Sequence, residues 1–354
     1  MKKVYHLITT ILRGGAENQL LVVVKEQVQQ GLEVHVVYLK GAAELEQELI
    51  FAGAFVHHEL VGKNPLFQPW LMMRLVAGER ITLHAHLPRA ELVGLAALGK
   101  FQFIATRHNA ESFFPGAPEF VSRFLSRLVE CRASKIIAIS NSVKTFLLNS
   151  GEIRSGKNIE VVYYGYFPEV DRGLLKSNLP SNLLRLGTIS RLASQKDLPT
   201  MIRAFHGYNI QNPDSTLSIL GAGPLESELK RFVEDLNLKT KVEFLGRSSF
   251  TRDFLLSLDV FVLTSLYEGF GMVLFEAMDA GIPIVASKNS AIPEVLGEDF
   301  PGLCITGDAD DFLFKINALR DPDYRNLILT MQGERLSMFS AKSMSEKLLA
   351  LYEG

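Results

Sequence analysis

A chain of 354 residues, 47% hydrophobic and 21% charged, is long enough for two domains and too apolar to be disordered. Its net charge of −2 excludes the strongly basic surface that grips nucleic acid, so no nucleic-acid partner is expected. Two cysteines, Cys131 and Cys304, exclude a disulfide scaffold or a cysteine-rich metal site and fit a reducing cytoplasm.

The opening MKKVYHLITTILRGG has the outline of a signal peptide, two lysines and then an apolar run. His6, Thr9 and Thr10 interrupt that run, no small-residue cleavage site follows, and it reads as a first β-strand. No segment approaches the ~18–20 apolar residues of a membrane-spanning helix. VYHLIT, LEVHVVYL, ITLHAH, FQFIAT and KIIAIS read as strands of a first domain, residues 1–168. Helical stretches lie between them, among them AENQLLVVVKEQVQQG, closed by Gly31. The pattern lapses in GYFPEVDRGLLKSNLPSN, and residues 169–182 are assigned as a linker. A second series, LLRLGTIS, TLSILG, KVEFLG, VFVLTS and IPIVAS, builds a second domain over residues 183–338. The last stretch, 339–354, is helical and is expected to cross back to the first domain. Strands alternating with helices imply parallel sheets: the fold class is α/β, two Rossmann-like doubly wound domains facing a cleft. Residues 1–178 carry 20 Lys+Arg and 16 Asp+Glu, a net of +4, which leaves −6 for the rest. That mildly basic half suits an anionic partner or membrane surface, and equally a chance asymmetry.

Several motifs do not hold. GEIRSGKN is one residue short of a P-loop, has Asn158 where a Mg²⁺-binding hydroxyl is needed, and follows a helix, so a surface turn is favoured. The pairs Asp308/Asp310 and Asp321/Asp323 resemble the Asp-x-Asp of metal-dependent sugar transfer but precede helices, where Asp is a favoured cap. His84 and His86 have metal-ligand spacing, yet spacing indicates no third ligand. RGGAEN lacks the third glycine of the dinucleotide fingerprint, which disfavours a dehydrogenase. Neither a metal nor a cofactor is expected.

Doubly wound sheets bind ligands beyond the carboxyl ends of their strands. Five segments occupy such positions: ILRGGAEN with Gly14 and Gly15, ATRHNAES with Arg107 and His108, ISRLASQKDL with Arg191 and Lys196, LGAGPLE, and SLYEGFGMVLFEAM. The last carries Glu268 and Glu276 in a run otherwise almost all glycine and apolar. On one helix the two carboxylates would lie about 80° apart, but Gly269 and Gly271 argue against a continuous helix. The expectation is Glu268 in a loop, a helix starting near Gly271 or Met272, and Glu276 inside it. The free N–H groups of that start form an anion site, with no side chain on Gly271 to obstruct them. Arg191 and Lys196 would meet the same anion, and two cations plus backbone donors can neutralise a diphosphate without a metal. A carboxylate only accepts hydrogen bonds and suits hydroxyls. A diphosphate between two hydroxylated rings describes a nucleotide-sugar. Taken singly, Arg191 and Lys196 are more often a solvated pair, and the weight lies in joint occurrence.

EGFGMVLFE resembles the Glu-x7-Glu motif of family 4 of the glycosyltransferases, retaining enzymes of the GT-B fold. SRLASQKDLPTMIRAF is similar to its phosphate-binding segment, and RGGAENQL to its opening turn. LSILGAGPLESEL, VEFLGR, and AGIPIVAS followed by IPEVLG resemble the surrounding blocks. Ser190 stands where a glycine often precedes the Arg, and NSAIPE lacks a glycine pair often found before the Pro-Glu. The resemblance implies that Glu276 accepts ribose hydroxyls and Glu268 binds the donor sugar near its reacting carbon. Backbone N–H groups from Phe270, Gly271, Met272 and Val273 would contact sugar and phosphates. Arg191 and Lys196 would neutralise the leaving diphosphate, Gly15 would let the backbone approach it, His108 would lie near the anomeric carbon, and Arg247 would flank the base. The expected partners are a nucleotide-diphosphate sugar such as a UDP-sugar and an acceptor saccharide or lipid-linked glycan, in polysaccharide, lipopolysaccharide or glycolipid synthesis. An epimerase or hydrolase of the same fold, or a non-catalytic nucleotide-sugar-binding protein, is the alternative. Arg123, Arg127 and Arg132 on one helix permit a peripheral contact with an anionic cytoplasmic membrane face, and permit equally a solvated helix.

Overall fold

Runs such as Val260–Leu263 are apolar at every position, and Val34–Tyr38 at all but His35, as strands covered on both faces require. In the computed structural model, which describes residues 3–168, 184–248 and 250–353, they lie inside two parallel sheets. The stretch assigned as a linker, 169–182, lies wholly outside the described residues. The chain divides into two units, Met1–Phe167 with Phe339–Gly354, and Pro168–Met338.

The first unit holds β1 (Lys3–Ile8), β2 (Glu33–Tyr38), β3 (Phe55–His57), β4 (Ile81–His86), β5 (Phe101–Arg107), β6 (Lys135–Ala138) and β7 (Ile159–Val161). They pair in the order β3-β2-β1-β4-β5-β6-β7, every pair parallel. The second unit holds β8 (Arg185–Ile189), β9 (Thr216–Leu220), β10 (Val242–Gly246), β11 (Val260–Leu263), β12 (Ile284–Ser287) and β13 (Leu303–Cys304). Their order is β10-β9-β8-β11-β12-β13, again all parallel. The order reverses between β1 and β4 and between β8 and β11, and at such reversals diverging connections leave room for a ligand.

The strands read from sequence are all present. Three further ones, β3, β7 and β13, are short and lie at sheet edges. The first helix, Gly15–Gln29, ends before Gly31, whose φ of +84° closes it. The last helix, Ala341–Glu353, belongs to the first unit, where Met344, Leu348 and Tyr352 pack with Val4, Val23, Ile104, Ile137 and Val162. Among the described residues, no helix is long and apolar enough to cross a membrane.

Candidate active site

In the second unit, the loops after β8 and β11 are stitched together. The Leu266 N–H donates to Gln195 O at 2.8 Å, Gln195 Nε2 to Tyr267 O at 3.0 Å, and Thr264 Oγ1 to Lys196 O at 2.9 Å. This brings Arg191, Lys196 and Glu268 to one switch point. Lys196 Nζ lies 2.5 Å from Glu268 Oε1, which also accepts from Ser265 Oγ at 2.6 Å. The lysine and the buried glutamate are therefore partners, where sequence reasoning gave them separate ligands. The Arg191 side chain is exposed and makes no hydrogen bond or ion pair with the described residues.

The helix following this loop is Met272–Asp279, and Glu276 lies inside it. Gly271 is its N-cap with φ +85°, a left-handed conformation that a side chain would strain. The glycine thus serves the backbone turn as well as access. The Leu274 N–H bonds back to Gly271 O at 2.9 Å, while the N–H groups of Met272 and Val273 have no partner among the described residues. Phe270 is buried with its ring centroid 5.5 Å from that of Phe275, so its side chain is core and only its backbone can serve a ligand. The Glu276 side chain is partly buried without a hydrogen-bond or ion-pair partner among the described residues, and burial pushes its carboxyl up to about 7. A carboxylate held this way is poised to accept hydroxyls from something other than the protein. Arg247 is exposed after β10, at the sheet edge and separated from β8 by β9.

Two residues that sequence reasoning passed over complete the second unit's site. Ser290 has φ +47°, and its Oγ accepts the Glu268 N–H at 2.7 Å. Asn289 Nδ2 donates to Leu266 O at 2.5 Å. The missing glycine pair of NSAIPE was the available signal, because a serine holds there a conformation that favours glycine. Gly221 and Gly223 of LGAGPLE serve packing: added Cβ atoms would stand 1.9 Å from Ser190 O and 2.3 Å from Leu192 O.

In the first unit, Gly15 opens its helix at the β1/β4 switch, and a Cβ there would meet nothing within 4 Å. The protein's own packing therefore does not demand this glycine, and the space before it is open. His108 follows β5, buried, with Nε2 3.2 Å from His86 Nδ1 and Nδ1 on the Tyr164 hydroxyl. Burial pushes the imidazole down to about 3, so it is neutral. Arg107, placed beside His108 by the sequence, turns inward instead. It lies 2.9 Å from Glu91 and 3.5 Å from Glu152, donates to Ser126 at 3.1 Å, and stacks over Phe113. It is a core ion-pair residue.

The rejected motifs resolve into local structure. Asp308 accepts the N–H groups of Asp310 and Asp311, and Asp321 that of Asp323, each as a helix cap. In GEIRSGKN the Arg154 and Ser155 N–H groups donate to Glu130, as in a turn. His84 and His86 do have a third nitrogen neighbour, His6 of β1, with ring nitrogens within 4.8 Å of one another. Sequence spacing missed it because it comes from the neighbouring strand, where His6 pairs in register with His84. These nitrogens already hydrogen-bond one another or Gln27, Tyr352 and Thr106. The three residues are fully buried, and among the described residues the cluster has no carboxylate of its own to offset a divalent charge.

Comparison with known proteins places these features in a family. Residues 175–328 match the model of glycosyl transferases group 1, and residues 13–169 that of glycosyltransferase family 4. The chain is 25% identical over 356 aligned positions to N-acetyl-alpha-D-glucosaminyl L-malate synthase of Bacillus anthracis, covering 93% of this chain and 90% of that one. It is 30% identical to the UDP-Gal:alpha-D-GlcNAc-diphosphoundecaprenol alpha-1,3-galactosyltransferase of Escherichia coli, covering 76% and 74%. In fold it resembles Anabaena HepE, solved with UDP and glucose, at a TM-score of 0.82 and 20% identity over the whole of both chains. Motif order, paired parallel sheets and matched relatives agree: the chain belongs to glycosyltransferase family 4, nucleotide-sugar-dependent retaining enzymes of the GT-B fold that generally work without a metal.

Proposed function

We propose that this glycosyltransferase binds a UDP-sugar chiefly through its second unit and passes the sugar to a hydroxyl of a saccharide or lipid-linked glycan. The supporting observation is the gathering, at the β8/β11 switch, of the Arg191 guanidinium, the Met272 and Val273 N–H groups and the Glu276 carboxyl, all unpartnered among the described residues. Glu276 takes the ribose hydroxyls, and Arg191 with the helix start takes the diphosphate. Glu268 takes a donor-sugar hydroxyl while its Oε1 holds Lys196. Charge develops on the departing UDP, so preorganised cationic and N–H groups stabilise the transition state most. The first unit contributes Gly15 toward the diphosphate and His108 toward the sugar, and Arg247 flanks the base. HepE was solved with UDP-glucose, and the E. coli relative's name carries a UDP-sugar and a polyprenol-linked acceptor. These support a UDP donor and a polysaccharide or glycolipid product here.

The acceptor reading favours a cytoplasmic protein in peripheral contact with an anionic membrane. On the helix Glu119–Arg132, Phe120 and Phe124 are 73% and 61% exposed and Leu128 follows them one turn on. The arginines there are partly engaged: Arg123 pairs with Glu119, Arg127 donates to Gly151 O, and Arg132 stacks on Phe101. The apolar row thus carries the contact, with the arginines at its flank.

A thermal-shift panel of nucleoside diphosphates and UDP-glucose, UDP-galactose and UDP-N-acetylglucosamine tests the donor reading. UDP species are expected to raise the melting temperature, since a ligand of the native state stabilises it. No shift with any UDP compound would rule out the donor assignment.

A further inference from the structure

Buried polar side chains need partners, and eight of those inside the first unit are paired in a single line. His6 Nε2 lies 2.8 Å from Gln27 Oε1, and its Nδ1 lies 3.0 Å from His86 Nε2. His86 Nδ1 is 3.2 Å from His108 Nε2, and His108 Nδ1 meets the Tyr164 hydroxyl. From the other end of the same amide, Gln27 Nε2 donates to Tyr352 Oη at 3.2 Å. Tyr352 Oη is 2.7 Å from His84 Nδ1, and His84 Nε2 is 2.6 Å from Thr106 Oγ1. All eight side chains are buried.

One amide sets the direction of every bond. The Gln27 oxygen can only accept, so His6 carries its proton on Nε2 and offers a bare Nδ1. His86 must then be protonated on Nε2 to reach it, and His108 on Nε2 to reach His86. That leaves His108 Nδ1 as an acceptor, filled by the Tyr164 O–H. In the other branch Gln27 donates to Tyr352, Tyr352 to His84, and His84 to Thr106. Burial holds His6, His84, His86 and His108 uncharged near neutral pH, which leaves the tautomer as their remaining freedom. Packing alone does not lock the rings. A cavity of about 20 Å³, room for a water, runs beside His84, His86, Thr106, His108 and Tyr164.

We propose that His86, backed by His6 and Gln27, is a positioning residue for glycosyl transfer: by accepting the His108 Nε2–H it orients that ring and leaves Nδ1 as the nitrogen that receives a proton donor. A sugar hydroxyl then binds His108 by taking the place of the Tyr164 O–H, so His108 serves the donor as an acceptor. The inference rests on the assignment of His108 to the donor sugar.

Nitrogen-15 spectra of imidazole-labelled protein should show a protonated Nε2 and a bare Nδ1 at His108, and a protonated Nδ1 would overturn the proposal. His86→Leu deletes the acceptor, and kcat for UDP release from the best UDP-sugar of the panel should fall about tenfold, the effect of one buried hydrogen bond, with KM within about twofold. His86→Asn sets an amide oxygen near the lost Nδ1, and kcat should stay within about threefold of wild type. A merely structural role would lower both variants alike, so equal kcat values, or an unimpaired His86→Leu, count against the proposal. Should neither variant fold, the wild-type spectrum decides. Full activity in His108→Ala would remove the assignment of His108 itself. An inactive His108→Ala beside an unimpaired His86→Leu would remove only the role of His86.

Discussion

Arg191 and Lys196 carry the same charge in one loop, yet their surroundings divide their duties. Lys196 is bonded to Glu268 at 2.5 Å and brings a partly neutralised charge, whereas Arg191 is exposed and unpaired among the described residues. Arg191→Ala is expected to lower transfer by roughly 10²–10³-fold, the range for losing one charge-stabilising donor. UDP release measures it, and near-normal turnover would sink the assignment. Glu276 has a pH signature. Its carboxyl, usual value 4.5, is pushed by burial to about 7, so it is protonated below that pH and loses acceptor capacity. UDP affinity should therefore strengthen from pH 6 to pH 8 as the group ionises, and Glu276→Gln should flatten the profile in titration calorimetry. The contribution to folding runs the other way: a raised carboxyl pKa favours the folded state below 4.5, and the advantage fades as pH rises through about 7. The charged residues of this site were legible because they recur after successive strands. Ser290 and the Lys196–Glu268 pairing were not, since both depend on where two loops meet.

At the scale of elements, alternation and apolar runs located the long central strands, and the caps Asp308 and Asp321 were read correctly as helix starts. The edge strands β3, β7 and β13 escaped because runs of two or three residues are too short to show a period, whereas β10, also at an edge, has five. The helix Glu119–Arg132 was read for its arginines, while its exposed face is set by Phe120, Phe124 and Leu128. Sedimentation with vesicles of anionic lipid should pull down the wild type, and Phe120→Ser with Phe124→Ser should release it. Wild type left in the supernatant would remove the membrane contact.

At the scale of the molecule, two tandem parallel sheets were legible because the βα alternation restarts after the pattern lapses. The buried histidine line was not, because sequence gives neither the strand order that sets β1 beside β4 nor the register that aligns His6 with His84. The end of the chain completes the first unit, and Leu348 is buried there with Val4, Ile104 and Val162. Leu348→Ala should cost about 2–5 kcal/mol, measured by urea unfolding, as for other large-to-small changes in a core. An unchanged midpoint would mean that this helix is dispensable to the core.

That last helix also orders the protein's birth. Domains ordinarily fold as units from the N-terminus while they are being made. Here the first unit is begun first and finished last, because Met344, Leu348 and Tyr352 emerge only after the whole second unit has been translated. Throughout that interval the strip formed by Val4, Ile104 and Val162 lacks its cover, open to a chaperone or to another nascent chain. The second unit can close before the first, which must wait for its last helix.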